Sequence, residues 1–316
     1  MHLNEFADST DPLDMTTSEE FASLKQSASD LGIPHGDVAY RSRNLVMRHQ
    51  RFHFLDWGEP GLPPLLFLHG SNQSAHSFDL VSLHLADRFH VHALDQRGHG
   101  DSEWCRDSDY SSEAMGLDAA AFIDAMGLDQ LIVVGHSMGG QNAMRLALQH
   151  PERVTKLVLV DIGPELSEAG ASSIRRFVTE TREFDDIDHF VTRVQEYDPY
   201  RSREHIERTV KYNMIQRADG KFISKHDHGP RLKATGEHRA RGDRFTLDEV
   251  RHLPMPLLVI RGADSNILTA DAAQRFVDAV PNGRLVTVDE CGHNVHGQNT
   301  LGFIASLVPF LLSDGN

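Results

Sequence analysis

The sequence predicts an α/β fold: a mostly parallel central sheet flanked by helices and interrupted by an inserted helical cap. Three observations carry that expectation. Short apolar, β-branched runs alternate with helical patterns up to about residue 164 and again from 251 onward. Between them, from 165 to 250, the alternation lapses into charged, helix-like sequence with scattered aromatic residues. The third is the stretch Leu131–Gln141, where a buried-type strand runs into Gly135, Ser137 and Gly139 and then into a helical pattern ending near His150.

Size and composition agree. The chain has 316 residues, 40% hydrophobic and 24% charged, enough for a sizeable core with an insertion. No apolar run approaches the roughly 20 residues that span a bilayer. The N-terminal residues are acidic where a secretory signal would be basic and then apolar, so a cytoplasmic protein is expected. Two cysteines, Cys105 and Cys291, lie far apart and imply no disulfide framework. A formal charge of −15 argues against nucleic acid or an anionic membrane as partner and suits a neutral small-molecule substrate. The sequence carries no signal of oligomeric state.

In order, residues 1–36 read as an N-terminal extension. A loop-like Asp-Ser-Thr-Asp-Pro run precedes Thr17–Glu20, which offers a capping box to a helix bearing Phe21, Leu24 and Leu31. Residues 37–164 and 251–316 read as the core. Stretches around Leu45–Met47 and Phe52–Trp57 resemble an antiparallel hairpin. Strands follow at Pro64–Gly70 and Phe89–Asp95, with a helix at Phe78–Asp87 between them. A helix at Ser112–Met126 leads into the strand at Leu131. Lys156–Asp161 is a further strand. After the expected cap, 165–250, the alternation resumes with strands at Met255–Ile260 and Arg284–Val288, a helix near Ala270–Val280, and a closing helix at Thr300–Leu312. Right-handed crossovers between such strands give a parallel sheet.

Strand, sharp turn and helix around Ser137 lift the hydroxyl clear of a sheet, and glycine two positions either side avoids collision with neighbouring backbone. Together with His69-Gly70, the loop carrying Asp95, Arg97, Gly98, Gly100 and Ser102, and Gly292-His293, this resembles the α/β-hydrolase family from about residue 39 to the C-terminus. The strand–turn–helix is then that family's nucleophile elbow. The resemblance implies Ser137 as nucleophile and His293, directly after a glycine on a late loop, as base in preference to His296. It implies the backbone N–H groups of Met138 and Ser71 as oxyanion donors. His69 reads as structural, and Arg97 and Asp95 as ties between loops.

The acid is open between two residues. Family members most often place it three residues after the glycine that follows the strand at 257–260, and here that residue is Ser265. Asp264 stands one short of it and Asn266 one beyond. Some members carry the acid after the strand next to the elbow strand instead, where this chain has Asp161. Asp161 is favoured and Asp264 is the alternative. His226 and His228 form an HxH pattern that suits a metal but has no further ligand at characteristic spacing, so it reads as a solvated loop.

The implied function is a serine hydrolase that cleaves a carboxylic ester of a small, largely apolar substrate through an acyl-serine, without metal or cofactor. Thioester, lactone, amide or C–C bond hydrolysis and acyl transfer with the same groups stay open. Ser137 excludes the aspartate-nucleophile mechanism of haloalkane dehalogenases and epoxide hydrolases. A cofactor-free dioxygenase and a slow or non-catalytic small-molecule receptor are the remaining alternatives.

Overall fold

Unbroken apolar runs in the central strands give the sheet two buried faces. The computed structural model describes residues 17–227 and 245–313. The opening run of the N-terminal extension, His228 and part of the expected cap (228–244) therefore lie outside the described residues.

Helix α1 (Ser18–Asp30) is capped by the Thr17 side chain, which accepts from the Glu20 N–H at 3.2 Å. In place of the reciprocal capping-box contact, Glu20 lies 3.6 Å from Lys211 in an ion pair. The helix is not a free appendage: Leu24 and Ala28, with Ile33 beyond it, belong to the core. Strands β1 (Arg41–Met47) and β2 (Gln50–Trp57) form the expected antiparallel hairpin. Its two-residue turn, Arg48 and His49, has φ of 50° and 61°, as a turn matching strand twist requires. Then come β3 (Pro64–Leu68), α2 (Asp79–Leu85), β4 (His90–Leu94), α3 (Ser112–Ala125), β5 (Leu131–His136), α4 (Met138–Gln149) and β6 (Val154–Val160).

Beyond β6, helices α5 (Glu168–Glu180), α6 (Ile187–Tyr197) and α7 (Arg203–Asn213) alternate with strands β7 (Glu183–Phe184), β8 (Met214–Gln216) and β9 (Phe222–Ser224). The three strands form a small antiparallel sheet, ordered β7-β9-β8, which helix-like sequence did not foretell. Phe184, Phe190, Val191, Ile206 and Met214 give this segment a core of its own. The chain continues with α8 (Leu247–Val250), β10 (Leu257–Gly262), α9 (Ala270–Ala279), β11 (Gly283–Val288), α10 (Val295–Gln298) and α11 (Thr300–Leu312). Phe245 and Val250, within the stretch read as cap, already pack into the main core.

The main sheet has eight strands in the order β1-β2-β4-β3-β5-β6-β10-β11, parallel from β4 onward. Alternation sorts its side chains. Phe67, Val134, Val158 and Ile260 face one layer with α1, α2 and α11, whereas Leu66, Val133, Leu159 and Val259 face α3, α4 and α9. Each such buried side chain contributes about 1.5–3 kcal/mol. Among the described residues no helix is long and apolar enough to cross a membrane.

One polar contact closes the sheet's far end. Lys156, on β6, is buried and donates from Nζ to the carbonyls of Phe310 (2.9 Å) and Leu311 (2.8 Å), which the last turn of α11 leaves unpaired. Lys156→Met should therefore lower unfolding free energy by about 1–3 kcal/mol, read from the urea midpoint at unchanged slope. An unchanged midpoint would show that these carbonyls do without the ammonium.

Candidate active site

Ser137 lies between β5 and α4 with φ 52° and ψ −117°, a conformation costly for any residue with a Cβ. Its N–H donates to the Val160 carbonyl at 3.1 Å, pinning the turn to the neighbouring strand. The flanking glycines answer a steric demand. A Cβ on Gly135 would lie 2.5 Å from the Gly139 carbonyl oxygen, and one on Gly139 would lie 2.1 Å from that of Leu68.

Strand register brings the other groups level with Ser137. His136 pairs with Val160 and Val160 with Ile260, so Asp161 and Gly262 emerge side by side at the C-terminal ends of β6 and β10. In an open α/β sheet that end is where ligands bind. His293 arrives on the loop after β11. Its Nε2 is 2.9 Å from Ser137 Oγ, and its Nδ1 is 2.7 Å from Asp161 Oδ2. Asp161 is wholly buried, with φ 51°. Its Oδ1 accepts from the Gly262 N–H at 3.2 Å and its Oδ2 from the Ser265 hydroxyl.

Asp264 is not part of this chain of contacts. Its backbone N–H is tied to the Cys291 carbonyl at 2.9 Å, and its carboxylate accepts from the Tyr200 hydroxyl at 3.0 Å. Ser265, the residue at the family's commonest acid position, touches the carboxylate that does meet His293. Met138 opens α4, where the first N–H groups have no partner within the helix. Ser71 lines the same cavity as Ser137. His69 is buried beneath the loop: its Nδ1 is 2.8 Å from the Gly70 carbonyl, and its Nε2 accepts from the Gln96 N–H at 3.0 Å.

Two neighbours of the site escaped sequence reasoning. His136 occupies a position the elbow motif leaves open. Its ring nitrogens lie 2.9 Å from the His293 carbonyl and 3.1 Å from Gln73 Oε1. Burial, and next the charges of His296 and His293, hold its pKa well below the usual histidine range. A neutral ring donates to only one of its two oxygens. Gln73 in turn accepts from the Gly70 N–H at 2.9 Å and donates to Asn294 at 3.3 Å, linking the loop after β3 to that of His293. No local signal marks either residue.

A cavity of about 430 Å³ opens over Ser137 and His293. One wall is apolar, with Ile174, Phe177 and Val178 from α5 and Val194 from α6; the other carries Asp198, Arg201 and His205. Asp198 accepts from Arg201 Nε at 2.7 Å and from Gln298 at 2.9 Å. His205 is pushed down to about 3 by burial and then by Arg201 and Arg208. His296 lines the same cavity but is itself buried, and it stacks on Phe78 at 4.3 Å. Arg97 and Asp95 sit away from this cavity as ties. Asp95 accepts from the N–H groups of Ala75 (2.6 Å) and Asp101 (2.8 Å), and Arg97 pairs with Asp118, 2.7 Å from its Nη2.

Residues 63–300 match the family model described as alpha/beta hydrolase fold. An esterase of Mycobacterium tuberculosis, Rv0045c, is 28% identical over 300 residues, covering 92% of this chain and 95% of the relative. An sn-1-specific diacylglycerol lipase of Mus musculus, ABHD11, is 28% identical over 275 residues, covering 82% and 84%. The crystal structure of the mycobacterial esterase superposes with a TM-score of 0.73 at 27% identity, over 94% of this chain and 99% of that one.

The turn around Ser137 depends on close backbone approach, so Gly139→Ala should destabilise the protein by about 1–3 kcal/mol or more through overpacking against β3. Chemical denaturation checks this, and wild-type stability in the variant would contradict the steric account.

Proposed function

Because the chain belongs to the alpha/beta-hydrolase family and is a hydrolase, we propose that it cleaves a carboxylic ester of a small, largely apolar substrate through an acyl-serine intermediate. The hydrogen-bonded line from Ser137 through His293 to Asp161 carries this reading. Esterase and lipase activities named for the relatives agree with it.

In the proposed reaction His293 Nε2 takes the Ser137 proton as Oγ attacks the ester carbonyl. Asp161 holds the imidazole through Nδ1–H and stabilises the imidazolium that forms. The oxyanion is met by the N–H groups of Met138, at the positive end of α4, and of Ser71. His293 then returns the proton to the leaving alcohol. Water, deprotonated by the same imidazole, attacks the acyl-serine; Oγ leaves with the proton, and the free acid departs. The segment from α5 to β9 acts as a cap, whose apolar side chains from α5 and α6 take the acyl or alcohol chain.

Ser265 is assigned to orient Asp161 rather than to replace it. Its hydroxyl binds the oxygen that faces His293 and the Gly262 amide binds the other, which holds the carboxylate in one orientation.

On nitrophenyl esters of varied chain length, Ser137→Ala should lower kcat/KM by about 10⁴-fold or more while the folded state persists, and a fluorophosphonate probe should label Ser137 alone. Undiminished turnover in that variant would end the proposal. Asp161→Asn should cost about 10³–10⁴-fold in kcat, whereas Asp264→Asn should leave it nearly unchanged. Adding Ser265→Asp to Asp161→Asn should restore at least about tenfold, because it puts a carboxylate next to the position that Asp161 holds. A loss caused by Asp264→Asn and not by Asp161→Asn would reassign the acid.

A further inference from the structure

At the other end of the sheet lies a cluster that the hydrolase chemistry does not use. β2 and β4 pair antiparallel with Asp56 directly opposite His92. His90 and His92, two apart on β4, project to the same face by the strand's period. Four residues separate His92 from the level of the strand ends that carry Ser137, about 13 Å along the sheet.

Asp56 Oδ1 is 2.7 Å from His90 Nε2 and 3.7 Å from His92 Nδ1, and its Oδ2 accepts from Arg43 at 2.9 Å. One ligating atom from each of Asp56, His90 and His92 falls within 4.8 Å of the others. His92 is the anomaly. Its side chain is 0% exposed, and among the described residues neither ring nitrogen has a hydrogen-bond partner. Phe54 and Phe122 meet the ring edge-on, with centroids 6.1 and 5.7 Å away, and offer it no lone pair. Buried polar groups are seldom left so.

Another carboxylate–histidine cluster among the described residues, His53, Asp95 and Asp101, is different. There His53 already meets Asp95 at 2.7 Å and Ser42 at 2.8 Å, and Asp95 takes two backbone N–H bonds, so nothing is missing.

We propose that Asp56, His90 and His92 bind one divalent transition-metal ion of the Zn²⁺ class, bracing β2 against β4. Two imidazoles and a carboxylate suit Zn²⁺, Co²⁺ or Ni²⁺ in preference to Mg²⁺ or Ca²⁺. Bonds of about 2.0–2.2 Å to such an ion require ligand atoms little more than 3 Å apart, within reach of small side-chain rotations here. The His92 nitrogens are sealed from solvent, but an ion held between the ligands needs no opening there. Entry is on the His90 side, where that side chain keeps 10% exposure. The ion takes the place of the proton between His90 and Asp56, and His90 carries its proton on Nδ1 instead, so none need be released. Arg43 stays on Oδ2 and fixes the carboxylate as a one-oxygen ligand.

The test uses the full chain, stripped with a chelator and dialysed. Zinc chloride should bind at one equivalent per chain by equilibrium dialysis and raise Tm, and Co²⁺ should give a visible absorption distinct from that of the ion in buffer. His92→Phe and, at the more exposed position, His90→Gln should abolish both the Tm rise and the Co²⁺ spectrum, while His293→Gln keeps them. Loss of the signals in His293→Gln alone, their persistence in both β4 variants, or no stoichiometric binding to wild type would each overturn the proposal.

Discussion

Three loops at the head of the sheet meet at the carboxylate of Asp161. A carboxylate with no exposure must be surrounded by donors, because a buried charge left short of partners costs several kcal/mol. Asp161 finds three of them on two segments: the Gly262 N–H and the Ser265 hydroxyl at and just beyond the end of β10, and His293 after β11. The placement follows from the sheet, since β6 lies between β5 and β10 and their registers are level there. The orientation of His293 toward Ser137 is therefore not a local property of the Gly292-His293 loop. It is inherited from the order of four strands and from one aspartate held at φ 51°.

Above this frame the segment from α5 to β9 has a small core of its own, so it can vary in shape without disturbing the sheet. It is nevertheless tied down at defined points. Arg208 on α7 pairs with the buried Asp79 at 3.0 Å, Tyr212 stacks on His76 at 3.4 Å, and Lys211 reaches Glu20 of α1. α1 thus braces the helix that bounds the cavity, which gives the N-terminal segment a place in the architecture. The cavity itself has an apolar wall and a polar wall, and the polar one is built around the mutually neutralised Asp198 and Arg201.

Much of the fold was legible because it rests on periodicity. Strands such as Leu131–Val134 and Leu257–Ile260 are buried on both faces and therefore read as unbroken apolar runs. Ser137 and His293 were legible because each is tied by glycine to a strand end, and the structure brings them within 2.9 Å. Asp161 and Asp264 could not be separated by sequence because both simply follow strands. Which one faces His293 depends on strand order, a non-local fact. The small β7-β9-β8 sheet was missed since strands of two or three residues are shorter than any period they could show. His90 and His92 were passed over for a related reason. Their partner Asp56 lies on another strand, and HxH was weighed at His226 and His228 instead.

A chain with 20 histidines must also keep most of them from competing with the one beside Ser137. Burial does that work. His69, His136, His205 and His296 all surround or underlie the cavity, and each has its pKa lowered, with desolvation the largest cause in every case. They remain neutral rings that pack, stack or share a proton with a carbonyl. Beside Ser137, therefore, no second imidazolium stands to repel the charge that would develop on His293 as it took a proton. The side chain of His293 keeps 16% exposure and lies against the Asp161 carboxylate. Depth thus separates these four rings from His293, and the separation rests on packing residues such as Phe78 and Phe303.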